Sequence, residues 1–259
     1  MDRSCISPRG LTAEFLGTMM LVFVAIGSIV LPQLVWGSAA PYEFVFISAI
    51  AVGFVLFALI ETFGPLSGAH FNPAVTIALT VAKECSPKKA AYYIMMQLAG
   101  AIVGVLLVNL FFFEHLQEGL FYISSNDRSS IYLVLSELFC VFMLIGIIFG
   151  CVRGGSNKTS LAVGLFVGGM ILASSSTMFA NPAVGLARIF TEAACGIAPL
   201  SALYFSIAGI TGAVIGAIVF GWLYPKKLKK GEKCDAFDCS TKEGGCGCES
   251  DTTVIEMIK

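Results

Sequence analysis

The sequence predicts an all-α membrane protein with six transmembrane helices and two half-helices that meet at the midplane of the bilayer. The 259 residues are 57% hydrophobic and only 13% charged, with a mean hydropathy of +0.86, whereas soluble domains carry about a quarter charged residues. Two similar segments, HFNPAVTIAL (70–79) and FANPAVGLAR (179–188), indicate an internal duplication. The net charge of −1 gives no reason to expect a nucleic-acid partner.

Six apolar segments are long enough to be transmembrane helices, which need about 20 residues each. They cover roughly residues 11–31, 44–63, 90–113, 131–152, 161–177 and 200–223. The polar stretch before the first of them, MDRSCISPRG, is too short for a secretory signal peptide with its cleavage site. The first span is therefore expected to remain in the protein.

Each duplicated segment carries Asn-Pro-Ala followed by Val, beginning at Asn72 and at Asn181. Asn is a favoured N-cap and Pro suits the first helical position, so each triplet predicts a helix start. The helices that follow, 73–81 and 182–190, cover under half of a ~30 Å hydrocarbon core at about 1.5 Å per residue. They are predicted half-helices. A capping Asn that uses its carbonyl on the helix keeps an NH2 donor for a solute, while the helix dipole disfavours cations.

The basic residues indicate the orientation of the chain. With six spans, all 16 Lys and Arg residues except Arg128 and Arg188 fall on the side of the two termini, which the positive-inside rule places in the cytosol. Three spans separate the triplets, so the half-helices enter from opposite sides and converge, as in inverted-repeat transport proteins. The predicted domains are a cytosolic N-terminus (1–10), a membrane domain (11–224, repeats about 11–113 and 131–224) and a cytosolic tail (225–259).

Polar and small residues inside the spans also repeat. Glu14 in the first span and Glu137 in the fourth are intramembrane acids, which normally face the protein interior. We expect each to hold the loop of its own half in place; a proton relay is the alternative. Glycines at four-residue spacing predict close helix packing. These are Gly100 and Gly104 in the third span and Gly212 and Gly216 in the sixth.

The segment SGAHFNPAVTIAL resembles the first signature loop of the aquaporins, or major intrinsic proteins, and FANPAVGLAR resembles the second. The resemblance implies an aquaporin-like hourglass fold in the plasma membrane, packed as a homotetramer, with one pore per monomer. It implies a passive channel for water and small neutral solutes in the lipid bilayer, with no catalytic residue and no cofactor. The pore motifs that it assigns are Asn72, Pro73, Ala74, Asn181, Pro182 and Ala183.

One departure from the family pattern bears on the solute. Most aquaporins carry Arg after the second triplet, as one wall of the narrow outer filter, but this chain has Val184. Arg188 follows one turn later and is expected at the outer mouth. Spacing to the two Asn residues places the other filter positions at Val52, Gly169 and Met178. This wide, apolar filter suits glycerol, urea, boric acid or As(OH)3, and the NPAV box resembles a bacterial-type branch linked to arsenite permeation.

The polar tail after residue 224 is too poor in hydrophobic residues to fold alone. It contains Cys234, Cys239, Cys246 and Cys248, and clustered thiolates suit a soft metal ion or metalloid. Their spacing matches no standard zinc site, so a flexible tail without a bound ion is the simpler interpretation. Two other functions stay open: an ion- or proton-coupled secondary transporter, and a metal-responsive membrane protein acting through the tail.

Overall fold

The computed structural model describes residues 6–36, 41–116, 119–191 and 193–226. Its elements are α1 (Pro8–Trp36), α2 (Pro41–Ser67), α3 (Pro73–Val81), α4 (Pro87–Phe111), α5 (Ile131–Gly154), α6 (Thr159–Ala173), α7 (Pro182–Arg188) and α8 (Pro199–Leu223). These ranges contain no strand, so the predicted all-α fold is confirmed. The predicted tail site at Cys234, Cys239, Cys246 and Cys248 lies outside the described residues.

Helices α1, α2, α4, α5 and α8 are each long and apolar enough to cross a membrane. Helix α6 holds the place of the fifth predicted span but has only 15 residues, fewer than the about 20 that a straight span needs. The prediction extended this span to residue 177, which is wrong, because the helix ends at Ala173. Ser174 is already extended, with φ −90° and ψ 144°, and serine side chains compete with helical backbone hydrogen bonds.

The two repeats pack alike. Helix α1 packs against α2 and α4, and α5 packs against α6 and α8 in the same way. A Cβ atom at Gly100 would lie 2.3 Å from the Phe15 carbonyl oxygen, and one at Gly212 would lie 2.3 Å from that of Leu138. Only glycine allows the helix backbones to approach so closely, so the predicted packing role of these glycines is confirmed.

Helices α2 and α6 join the two repeats through a second glycine contact. A Cβ atom at Gly53 would lie 2.9 Å from the Gly164 carbonyl oxygen, and one at Gly164 would lie 2.7 Å from that of Gly53. Gly168 similarly faces the Ala49 carbonyl oxygen at 2.9 Å. The boundary between the repeats therefore depends on glycine as much as the packing within each repeat does.

Side-chain contacts mark the two ends of the bundle. At the end where α8 finishes, which we call the terminal end, Arg153 forms a 2.7 Å salt bridge with Glu84 and donates to the Tyr224 carbonyl oxygen at 2.6 Å. At the other end, which we call the loop end, Asn109 donates through Nδ2 to the Phe190 carbonyl oxygen at 2.7 Å. Glu84 comes just after α3 and Phe190 just after α7. The half-helices therefore end at opposite ends of the bundle, as the inverted repeat predicts.

Candidate pore at the junction of the half-helices

Each half-helix begins with the same side-chain cap. Asn72 accepts through Oδ1 from the Ala74 N–H at 2.8 Å, and Asn181 accepts through Oδ1 from the Ala183 N–H at 3.0 Å. Both Asn residues are extended, with φ of −154° and −153°. Proline takes the next position in both, where a missing N–H removes no intrahelical bond. Both half-helices therefore begin at their Asn-Pro-Ala triplets, as the sequence predicts.

The two Asn side chains also tie the repeats together. Asn72 donates through Nδ2 to the Ala180 carbonyl oxygen at 2.7 Å, and Asn181 donates through Nδ2 to the Phe71 carbonyl oxygen at 2.8 Å. The sequence predicts a wholly free NH2 group, but one of its two hydrogens is used in this crossed pair. Since an amide nitrogen carries two hydrogens, each Asn keeps one donor for another partner.

The residues before each Asn form turns with the same backbone pattern. Ala69 and Phe71 have φ values of 50° and 48°, and Met178 and Ala180 have φ values of 44° and 48°. In each turn these residues come three and one positions before the Asn. A left-handed conformation costs a non-glycine residue about 1–3 kcal/mol. The surrounding structure must therefore hold both turns in place.

Two buried carboxylates hold these turns. Glu14 and Glu137 are 0% and 1% exposed. Each accepts two consecutive backbone N–H groups: those of His70 and Phe71 for Glu14 at 3.0 and 2.8 Å, and those of Phe179 and Ala180 for Glu137 at 2.9 and 2.6 Å. Consecutive N–H groups in such turns form a cradle for negative charge. The predicted bracing role of both glutamates is confirmed by these bonds.

The partners of this bracing differ between the repeats. Gln97 on α4 donates through Nε2 to Glu14 at 2.7 Å and to the Thr76 hydroxyl at 3.0 Å. In the second repeat, Arg128 donates to the Ser176 carbonyl oxygen at 3.0 Å. The sequence pattern does not predict these contacts of Gln97 and Arg128. The signal was available for Gln97, a long polar side chain inside an apolar span.

A cavity of about 140 Å³, which we call the central cavity, runs along the junction of the two half-helices. Both Asn72 and Asn181 line it. The other polar side chains of its described lining are His70, Thr159 and Arg188, and the remaining lining residues are apolar or glycine. A solute inside the cavity would therefore meet few hydrogen-bonding groups, with the two Asn amides among them.

Three of the four predicted filter residues line this cavity. Val52, Met178 and Val184 all do so, and each is at most 5% exposed. The placement of Gly169 is wrong: it is exposed, and no atom lies within 4 Å of the position that a Cβ would take. The Gly169 position was counted through the non-helical segment before Asn181, whose path sequence spacing does not determine.

On α6, Ile171 lines the cavity where the sequence spacing predicts Gly169. The apolar residues of α6 that line the cavity are Val163, Val167 and Ile171, at the four-residue spacing of one helix face. Gly169 is two residues from Val167 and Ile171, so it projects from the opposite face. Ile171 is the member of the stripe nearest the end of α6 and is 7% exposed.

Arg188 lies at the loop end of the cavity. Its side chain is 8% exposed, its Cζ lies 4.2 Å from the centroid of the Phe179 ring, and its Nη2 donates to the Ala25 carbonyl oxygen at 3.1 Å. Its Nε is buried without a hydrogen-bond partner. The guanidinium therefore retains a donor close to the residues that line the cavity.

Comparison with known proteins decides the family. A sequence model described as "Major intrinsic protein" matches residues 3–180. The chain belongs to the major intrinsic protein family. Members of this family are membrane channels, and the five apolar spans agree with an integral membrane protein. Within the described ranges, no group of three or more His, Cys, Asp or Glu side chains is placed to hold a metal ion.

Individual relatives cover most of this major intrinsic protein. Aquaglyceroporin AqpS of Rhizobium meliloti (strain 1021) is 35% identical over 215 residues, which cover 83% of this chain and 90% of the relative. Human aquaporin-2 is 31% identical over 239 residues, covering 89% and 84%. The X-ray structure of the aquaglyceroporin from Plasmodium falciparum superposes with a TM-score of 0.65 at 24% identity, covering 83% and 94%. At that identity the structure supports the fold alone.

Proposed function

We propose that this protein is a passive channel for water and small uncharged solutes of glycerol size, including metalloid hydroxides such as As(OH)3. The observation that carries the proposal is the crossed pair of Asn72 and Asn181, each with one amide hydrogen left beside a cavity whose other walls are mostly apolar. The similarity to AqpS, which is named an aquaglyceroporin, supports the solute class. We place the protein in the plasma membrane with both termini in the cytosol.

The proposed mechanism is a brief exchange of hydrogen bonds at the centre of the pore. The spare amide hydrogens of Asn72 and Asn181 donate to an oxygen of the passing solute and so orient it. The walls on both sides are mostly apolar and offer few competing partners that would hold the solute. The two half-helix starts carry partial positive charge, which disfavours cations and protons.

The filter at the loop end sets the size of the solute in this proposal. Val52, Ile171, Met178 and Val184 form an apolar constriction, and the absence of Arg at position 184 leaves room for a branched or polyhydroxylated molecule. Arg188 stands one turn farther out and lines the cavity, so that its guanidinium can donate to a solute oxygen at the mouth of the pore. A solute with several hydroxyl groups can use that donor and the Asn donors in turn.

Stopped-flow light scattering on proteoliposomes tests the proposal. Vesicles with the full chain are expected to show water, glycerol and arsenite fluxes well above those of empty vesicles, without saturation. A coupled transporter would instead saturate and respond to a pH gradient. Glu14 and Glu137 are engaged with backbone N–H groups, which argues against a proton relay. No gain in any of the three fluxes would reject the channel.

Two further expectations belong to this proposal. Large apolar side chains such as Phe54 and Trp222 are 68% and 79% exposed, which suits contact with lipid and with other copies in a homotetramer. The tail is expected to be dispensable for flux. Removing residues 234–259 and measuring glycerol flux with and without arsenite separates this expectation from a metal-responsive role for Cys234, Cys239, Cys246 and Cys248.

A pair of phenylalanine variants checks which face of α6 lines the pore. Ile171→Phe is expected to lower glycerol permeability by about tenfold, because it adds volume to a tight apolar passage. Gly169→Phe is the matched control, because its side chain would point away from the cavity. Both are measured by stopped-flow light scattering and normalised to the amount of reconstituted protein. If Gly169→Phe blocks glycerol and Ile171→Phe does not, the assigned face is wrong.

A further inference from the structure

A second cavity of about 180 Å³ opens at the loop end of the bundle. We call it the loop-end vestibule, and it shares Ile171 and Arg188 with the central cavity. Its charged lining residues, within the described part of the chain, are Arg128 and Arg188. Ser48, Thr177 and Cys195 supply its other polar side-chain atoms. The vestibule is thus a small chamber with two positive charges and no described acid in its wall.

Both guanidinium groups are anchored against the same aromatic ring. The Cζ atoms of Arg128 and Arg188 lie 5.1 and 4.2 Å from the centroid of Phe179. Arg128 is also tied to the turn before Asn181, because its Nη2 donates to the Ser176 carbonyl oxygen at 3.0 Å and to the Thr177 hydroxyl at 3.5 Å. The two positive charges are therefore held near each other by fixed contacts.

Neither arginine has a carboxylate partner among the described residues. The salt bridge found in the described ranges joins Arg153 to Glu84 at the terminal end. Near the vestibule, Asp127 accepts from the hydroxyls of Ser129 and Ser201, and Glu137 is occupied by two backbone N–H groups.

The electrostatics of the vestibule favour a counter-charge. Burial, and next the nearby positive charge of Arg188, lower the pKa of Arg128, whereas the negative charge of Glu137 acts in the opposite direction. A guanidinium stays charged at neutral pH in any case. The guanidinium of Arg188, in a side chain that is 8% exposed, donates through Nη2 to the Ala25 carbonyl oxygen and carries five N–H groups in all. Two like charges close together repel, and an anion between the two guanidinium groups would offset that repulsion.

We propose that the loop-end vestibule binds a small free anion, a carboxylate or an oxyanion, between Arg128 and Arg188. Guanidinium groups bind such anions through paired, charge-assisted N–H···O bonds. The anion would be held rather than carried, because the cavity beyond Ile171 is mostly apolar and offers no further arginine or lysine among the described residues. Since the vestibule shares Arg188 with the central cavity, a bound anion also competes with neutral solutes at the mouth of the pore.

Binding is measured first, without reference to transport. The full chain in lipid-free detergent is melted in sodium phosphate or sodium acetate and compared with sodium chloride at the same ionic strength. We expect a higher Tm in at least one of the two salts than in chloride. Arg128→Gln and Arg188→Gln are each expected to need about tenfold more anion for the same rise, whereas Arg128→Lys retains part of it. Lys158→Gln, at the terminal end, serves as the matched control.

A second variant keeps both arginines and so avoids disturbing the contacts of Arg128. Ser48→Asp places a carboxylate in the wall of the vestibule, where it would offset one of the two positive charges and compete with the anion, and it is expected to reduce the anion-dependent rise in Tm sharply. In proteoliposomes, external phosphate should lower glycerol flux through the wild type more than through Ser48→Asp. The proposal is overturned if neither salt exceeds chloride, or if Ser48→Asp and both glutamine variants respond like the wild type. A channel without flux but with this Tm pattern would reject only the proposed function.

Discussion

Replacing Val184 by arginine is expected to lower glycerol flux by about tenfold or more, while water flux falls much less. Val184 is 5% exposed and lines the central cavity beside Asn181, so a guanidinium placed there would occupy space that a larger solute needs. It would also add a second positive charge within one helical turn of Arg188. The ratio of water to glycerol permeability, measured on the same vesicles by stopped-flow light scattering, checks the prediction.

Two control variants separate size from charge at this position. Val184→Met enlarges the side chain without charge and is expected to reduce glycerol flux less than arginine does. Val184→Gln adds donors without a positive charge, so it shows how much of the effect is due to charge. Equal loss of water and glycerol flux in Val184→Arg, or no loss of either, would mean that Val184 does not form the constriction.

Replacing Glu137 by alanine is expected to cost at least about 3 kcal/mol of folding free energy. The change leaves two buried backbone N–H groups, those of Phe179 and Ala180, without an acceptor. It also releases the left-handed residues Met178 and Ala180, whose conformation the carboxylate holds. We therefore expect a large drop in Tm and loss of flux together.

The matched control for Glu137→Ala is Glu43→Ala. Glu43 lies in the first turn of α2 and is exposed, so its loss should change the free energy of unfolding by less than about 0.5 kcal/mol. Glu14→Ala should resemble Glu137→Ala, because Glu14 plays the same part in the first repeat. A Glu137→Ala protein that melts like the Glu43→Ala protein would show that the turn is held by other contacts.

The parts of the fold that follow from local chemistry could be predicted closely. Two adjacent residues, Asn72 and Pro73, are enough to define the start of α3. The predicted half-helix 73–81 matches the observed one. Glu14 and Glu137 were assigned correctly because an acid inside an apolar span needs a partner in the protein. Such features depend on a few neighbouring residues or on a simple burial argument.

The errors concern long-range geometry. Gly169 was placed by counting back from Asn181 across a non-helical segment, and no sequence rule gives the path of such a segment. The crossed bonds of Asn72 and Asn181 join residues more than a hundred positions apart, so no local pattern reveals them. Arg128 and Arg188 line the same vestibule and both lie near the Phe179 ring, and this placement depends on the path of the loop before α5.

The crossed amide bonds also bear on how the chain is made. Asn72 needs the carbonyl group of Ala180, and Phe71 needs the amide of Asn181, so the first half cannot complete its own loop as it leaves the ribosome. Until the segment around Ala180 and Asn181 has been made, the amide of Asn72 lacks its acceptor. A chain that stops before residue 180 can form neither crossed bond, and we expect it to lack a finished passage through which a membrane could leak.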